Sequence, residues 1–455
     1  MKIIKINIPE KVNIILNKLY DNGYEGYIVG GCVRDSILGL EPKDWDITTN
    51  AKPNEILNIF KDFRIIPTGL KHGTVTIVIN NIGYEVTTYR VDGEYEDSRH
   101  PKQVNFVDTL KEDLSRRDFT INAMAYNYDY GLIDYYGGVY DLNNKIINTV
   151  GEANKRFEED ALRMLRAIRF SAKYNFEMSK EVKEGIITNG CLLDNISKER
   201  IREEFNKIIM YNPSKIKDII NFYISRFICS EFRIMYKYNQ NNPYHSLDLL
   251  EHSINATKIV DTLNLKLVMI FHDIGKIYKR MIDEKLISHY HGHAEKSYEL
   301  SLGILKNLRY ANEDINYIST LIRIHDFIFA EDEKNIRKQL KKLLNKYGEN
   351  IVKDLLKVRI ADISSQNPVY LLKRLNKVYK VNEILQDILN SKQCFTIKDL
   401  NISGKDIMNL MNITKGNKNV GIVLNNLLEY VIEDNSLNTK DKLIKLAKHE
   451  IDNLV

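Results

Sequence analysis

Long apolar runs are missing from this 455-residue chain. No stretch approaches the ~20 residues needed to cross a bilayer, so no membrane partner is expected. The opening segment, Met1 to Lys11, is too polar for a secretory signal, and a cytoplasmic protein is expected. Paired cysteines are missing too: Cys32, Cys191, Cys229 and Cys394 are scattered and form no C-x-x-C. That argues against a disulfide framework or a thiolate zinc site and fits a reducing compartment. Strong charge of either sign is also lacking. The net charge of +5 is too weak by itself to argue nucleic-acid binding, though it does not oppose it. There is no Pro/Gly/Ser-rich linker and no internal repeat, so the domains should abut through continuous helices. Nothing in the sequence fixes an oligomeric state.

What is present is a globular composition, 44% hydrophobic and 28% charged, on a chain long enough for roughly two to four domains. The first ~150 residues mix strand and helix signals. Tyr27-Ile28-Val29 is a short apolar run ending at Gly30-Gly31. Gly73 to Ile79 is β-branched, and the alternating run Tyr84 to Tyr89 should pair with it through the Asn80-to-Gly83 turn. Beyond residue 151 apolar residues recur at helical spacing, and the rest reads as helix after helix. Lys334 to Lys346 reads as the solvated face of one of them.

The chemistry begins at Gly30-Gly31-Cys32-Val33-Arg34-Asp35, followed by Lys43-Asp44-Trp45-Asp46. Paired glycines let backbone N–H groups approach a phosphate closely, and Arg34 can pair with it bidentately. Asp44 and Asp46, two residues apart, would share one strand face and could hold Mg²⁺ between an attacking hydroxyl and a nucleotide's phosphates. Glu85 is either a third metal carboxylate or the partner of a neighbour such as Arg90.

These motifs resemble those of bacterial class II CCA-adding enzymes, tRNA nucleotidyltransferases related to bacterial poly(A) polymerases. Further stretches carry the resemblance. Arg116-Arg117-Asp118-Phe119-Thr120-Ile121-Asn122 matches the family's second motif, which implies that Arg116, Arg117, Asp118 and Asn122 contact the nucleotide's triphosphate and sugar. Val91-Asp92-Gly93 through Arg99-His100-Pro101 resembles its flexible loop. Asp134-Tyr135-Tyr136-Gly137-Gly138 resembles the turn into its neck. Glu159-Asp160-x-x-Arg163 resembles its base-reading motif. Spaced i and i+3, Asp160 and Arg163 should share a helix face. A carboxylate accepts and a guanidinium donates, which suits the amino group and ring nitrogen of cytosine and adenine and opposes guanine and uracil. Arg166, one turn on, can reach a phosphate.

Seven of the ten histidines lie between His245 and His325. His252, His272-Asp273 and Asp362 resemble the ligand set of the HD phosphohydrolases, with His293 and His325 available to a second ion. His289 and His293, at i and i+4, could equally share a helix face. Such ligands suit several divalent transition metals, and sequence does not choose among them.

The expected fold is therefore α+β: a nucleotidyltransferase α/β head (1–150), then all-α regions comprising a neck (151–230), an HD domain (231–380) and a tRNA-docking tail (381–455). The resemblance implies template-independent transfer of CMP, CMP and AMP from CTP and ATP to tRNA, with Mg²⁺ in the head and a second metal, of unfixed identity, in the HD domain. A poly(A) polymerase, a CC-adding enzyme and an HD hydrolase with an RNA-binding head are the alternatives.

Overall fold

A computed structural model describes residues 4–93 and 104–454. The chain forms two compact units, Met1–Arg233 with Asn307–Arg309, and Ile234–Lys306 with Tyr310–Val455.

The first unit is built on a seven-stranded mixed sheet. Its strands are β1 (Gly26–Val29), β2 (Asp46–Thr49), β3 (Arg64–Gly69), β4 (Thr74–Ile79), β5 (Ile82–Thr88), β8 (Met124–Asn127) and β9 (Gly131–Asp134), in the spatial order β3-β4-β5-β2-β1-β8-β9. Two short strands, β6 (Arg90–Asp92) and β7 (Val104–Phe106), pair separately. β1 is central and buried along its length, as an apolar run ending in glycine should be. β4 and β5 form the expected hairpin. Its tight turn is Asn80-Asn81, both at positive φ (51° and 62°), a conformation asparagine tolerates. β2 and β5 run parallel, with Ile47 opposite Val86. That register sets Asp46, the first residue of β2, beside Glu85 on β5.

Helices follow the sheet: Ala153–Glu159, Leu162–Tyr174, Lys180–Asn189 and Lys198–Tyr211. Leu162–Tyr174 buries Leu165, Ile168 and Phe170. The expectation of helices alone beyond residue 151 needs two amendments. β10 (Ile146–Ile147) pairs in parallel with β11 (Glu177–Met178), and β12 (Met281–Ile282) forms a hairpin with β13 (Ser288–His289).

The second unit is otherwise helical. Leu249–Ile259 starts on Asp248, whose side chain accepts from the Glu251 N–H, and Leu263–Phe271 starts on Thr262 in the same way. The long stretch Glu333–Ser364 is broken at Gly348, where φ is 80°. Lys341 in it is buried, so the Lys334–Lys346 run is not wholly a solvated face. The last helices share a core of Val423, Leu427, Val431 and Leu443. No helix among the described residues is long and apolar enough to cross a membrane.

Candidate active site and metal centre

In the first unit the sheet delivers the site. β1 ends at Gly30, whose φ of 77° suits glycine. A Cβ there would come within 2.9 Å of Arg117 Nη1, so the glycine leaves room for that guanidinium. β2 opens only at Asp46, so Asp44 lies in the segment leading into it, and the strand face expected to carry both carboxylates holds Asp46 alone. Asp46 reaches solvent, yet it stands among enough protein to lose part of its hydration. That loss raises its pKa; Arg117 opposes the rise, while Glu85 and Asp44 add to it. Three carboxylates repelling one another around an open face form a set of hard oxygen donors that a divalent cation fits. They are not gathered as tightly as a preformed cage, since none appears among the described ligand groups within 4.8 Å of one another.

Behind them, the buried Asp118 accepts from Arg166 Nε at 2.8 Å and Nη2 at 2.5 Å, and from Asn122 Nδ2 at 3.0 Å. Burial alone would raise its pKa, but Arg166 and these hydrogen bonds carry it well below the usual carboxylate range. Arg34 is buried too. Its Nε donates to Asp35 at 2.8 Å, its Nη1 donates to Asn122 Oδ1, and its guanidinium lies over the Tyr174 ring at 4.9 Å. The guanidinium fork expected to clasp a phosphate is thus occupied by Asp35 and Asn122.

The expected shared helix face of Asp160 and Arg163 does not form. The helix Ala153–Glu159 stops at Asp160, which is extended (φ −141°, ψ 102°), and the next helix starts at Leu162. The Asp160 carboxylate accepts from the Leu162 N–H at 3.0 Å, satisfying a free donor of the new helix. Its other oxygen meets Arg200 Nη2 at 3.0 Å. Arg163 pairs with Glu159 at 2.5 Å and donates from Nη2 to the Arg116 carbonyl at 3.2 Å. Asp160 and Arg163 are therefore aimed by different partners, from either side of a helix break.

In the second unit four imidazoles converge. His252 Nε2 and His272 Nε2 are 3.3 Å apart, as are His293 Nε2 and His325 Nε2. Each ring's Nδ1 sits on a backbone carbonyl: Ser365 at 3.2 Å, Met269 at 2.7 Å, Tyr290 at 2.8 Å and Ile322 at 2.7 Å. Donation from Nδ1–H turns each Nε2 lone pair inward. Asp273 faces both pairs. Its Oδ2 is 3.4 and 3.2 Å from His252 and His272, and its Oδ1 is 3.2 and 3.5 Å from His293 and His325. Asp362 completes the first group, at 3.1 Å from His252. Burial opposes a proton on His272, but Asp273 and Asp362 overcome it and push its pKa up to about 10. The cluster attracts positive charge, and lone pairs set 3.3 Å apart fit divalent cations. A cavity of about 310 Å³ opens onto it, edged by Lys276, Arg359 and Arg374.

Three regions of the chain match known domain families: the "Poly A polymerase head domain" over residues 26–148, the "Probable RNA and SrmB- binding site of polymerase A" over 175–217, and "tRNA nucleotidyltransferase domain 2 putative" over 288–447. The chain is 42% identical over 277 residues to the CCA-adding enzyme of Limosilactobacillus reuteri (strain DSM 20016), an alignment spanning 60% of this chain and 67% of that protein. It is 33% identical over 409 residues, 90% of each chain, to the CCA-adding enzyme of Staphylococcus aureus (strain bovine RF122 / ET3-1). The chain belongs to the CCA-adding enzyme family. Its fold agrees: it superposes on the Bacillus stearothermophilus CCA-adding enzyme, solved in complex with CTP, with a TM-score of 0.71 at 26% identity over 98% of both chains.

As a family member the protein is a nucleotidyltransferase, which implies a divalent metal. The structure sets Asp44, Glu85 and Arg117 within electrostatic reach of Asp46, with Arg117 beside Gly30. Arg90, the alternative partner of Glu85, donates instead to the His72 carbonyl. Arg116 is turned toward Asp113. His289 lies on β13 and meets Asp283 at 2.9 Å, so it shares no helix face with His293, the first residue of its helix. His272, Asp273 and His325 sit at helix ends rather than within helices. Of the loop expected from Val91 to Pro101, residues 94–101 lie outside those described. Sequence reading missed Arg200 and Asp113, which stand far from their partners along the chain or inside an unremarkable acidic helix. It also missed Glu159 as the partner of Arg163.

Proposed function

We propose that the head adds CMP, CMP and AMP in turn to the 3′ end of tRNA from CTP and ATP, without a nucleic-acid template. The observation that carries this is the mouth where Asp46, placed by β2 beside Glu85, meets Arg117 above the Gly30 turn. Asp44 and Asp46 hold the metal, with Glu85 as a third donor. Mg²⁺ bound there would lower the pKa of the tRNA 3′ hydroxyl and neutralise charge developing on the α-phosphate. The Gly30-Gly31 turn admits the triphosphate to the backbone, and Arg117 and Arg116 supply positive charge beside it. Arg34, Asn122 and Asp118, all buried, form with the partly exposed Arg166 a hydrogen-bonded lattice that fixes the wall of the site. Asp160 accepts from the amino group of cytosine or adenine, and Arg163 donates to the ring nitrogen. Uracil and guanine place a carbonyl against the carboxylate and an N–H against the guanidinium, leaving both groups unpaired.

This reading divides the chain into head (1–150), neck (151–230), metal-binding body (231–380) and tRNA-docking tail (381–455), working in the cytoplasm. Its test is tRNA lacking its last three nucleotides, offered single labelled nucleotides. Addition of C, C and A followed by arrest supports it. Long A tracts would mark a poly(A) polymerase, and a stop after CC a CC-adding enzyme.

The sharing of Asp273 between two imidazole pairs supports a second reading: residues 231–380 form an HD-type phosphohydrolase acting on tRNA ends. His252, His272, Asp273 and Asp362 hold one divalent transition metal, and Asp273, His293 and His325 a second. Asp273→Ala should abolish phosphate-ester hydrolysis and spare nucleotide addition. Loss of both activities would mean that Asp273 only holds the fold, through its metal or through its ion pair with Lys276.

A further inference from the structure

We infer that Asp113 is a positioning residue for nucleotidyl transfer: a buried anion that locks the Arg116–Arg117 pair to the strand carrying Asp46. The inference rests on the proposed role of that strand in holding the metal.

Asp113 is fully buried on the short helix Leu110–Ser115. Both of its oxygens are in use, and the donors include both arginines and a residue of the strand that carries Asp46. Oδ1 accepts from Arg116 Nε at 3.0 Å and Nη2 at 2.9 Å, and from the backbone N–H of Arg90 at 3.4 Å. Oδ2 accepts from Arg117 Nη2 at 3.5 Å and from Thr48 Oγ1 at 3.1 Å. Thr48 lies on β2, two residues after Asp46 on the same side of the strand. One carboxylate thus joins β2, the start of β6 and both arginines.

The contact with Arg117 is the sensitive one. Arg117 lies between two anions: its Nη2 reaches Asp113, and its charge also acts on Asp46. Its Nε is buried with no hydrogen-bond partner, so little else fixes its direction. If Asp113 lost its charge, Asp46 would remain as the carboxylate on which the Arg117 charge acts. Arg117 would then settle on the carboxylate that has to face the metal and leave the place above Gly30. Asp113 therefore keeps the arginine aimed at the triphosphate and keeps Asp46 free.

The test compares Asp113→Asn, Asp113→Glu and Thr48→Val with the parent. CTP affinity is read by calorimetry with Ca²⁺ and without tRNA, so that no turnover is needed, and kcat and KM are then measured with tRNA. Asp113→Asn should weaken CTP binding about tenfold or more and lower kcat, and Asp113→Glu should recover part of both. Thr48→Val cuts the tie to β2, together with the bond from Thr48 Oγ1 to the Thr87 carbonyl on β5, and leaves both arginines their bonds to Asp113. It should lower kcat several-fold while leaving CTP affinity within about twofold. A folded Asp113→Asn with parental affinity and kcat overturns the inference. If that variant fails to fold, an unchanged kcat in Thr48→Val overturns it instead. Asp46→Ala separates the two claims: full activity there would remove the underlying reading of β2, whereas an inactive Asp46→Ala beside a parental Asp113→Asn would remove only the role of Asp113.

Discussion

Stripping metal from the second unit should lower its melting temperature, and Asp273→Ala should erase that difference. The size follows from the ligand geometry. Two imidazole pairs, each 3.3 Å between Nε2 atoms, share the carboxylate of Asp273. An ion bound only to the folded state at a hundred times its Kd adds about 2.7 kcal/mol. For a unit of 150–250 residues, at roughly 2–4 °C per kcal/mol, that is about 5–11 °C, and more if both positions fill. The measurement is differential scanning calorimetry of metal-loaded and chelated protein, with metal content by mass spectrometry. Asp273→Ala also leaves Lys276, 2.6 Å from Asp273 in the parent, as a buried unpaired cation. That alone costs on the order of 3–5 kcal/mol, so the variant should melt early whatever its metal content. The diagnostic quantity is therefore the gap between loaded and chelated samples: wide in the parent, near zero in the variant. A parent indifferent to chelation, or a variant with the parental gap, would refute the assignment.

Asp46→Ala should reduce nucleotide incorporation by roughly 10³-fold, the loss of several kcal/mol of metal-borne charge stabilisation; primer-extension rates within tenfold of the parent would contradict this. Asp160→Ala should narrow the preference for CTP and ATP over UTP and GTP by about 100-fold, read from single-nucleotide incorporation; unchanged selectivity would remove Asp160 from base reading. Asp118→Asn strands Arg166, which is about a third exposed. Its cost should be near half the ~3–5 kcal/mol of a fully buried pair, measured by urea unfolding. Because the Asp118 pKa is lowered in the folded state, its stabilisation is complete above the unfolded value of ~3.9 and is lost as pH falls through the folded value. Asp118→Asn should lack that acid-side loss, and an unchanged slope would count against the pair.

Local residue chemistry made much of this protein readable. The β1 run ending in glycine, the β4–β5 hairpin and the helical spacing after residue 151 are decided by side chains close in sequence, and all three appear. The turn at Gly30 was legible for the same reason, whereas the strand face expected for Asp44 and Asp46 was not formed, since β2 begins only at Asp46. The histidine cluster was legible as a set of residue types in order.

Arrangement in space was not legible. A spacing of i and i+3 placed Asp160 and Arg163 on one helix face, but the helix breaks at Asp160, because its carboxylate caps the next helix and Arg200, 40 residues on, holds the other oxygen. Arg34 has the residue type to clasp a phosphate, yet Asn122, 88 residues away, takes part of its fork. The sequence by itself determined which chemical groups the protein carries and the local elements that bear them, because propensity and turn geometry act over a few residues. The tertiary structure decided which of those groups are already paired and which face an open site. A charge is satisfied by whatever the fold brings within about 3 Å, and that neighbour is rarely close along the chain.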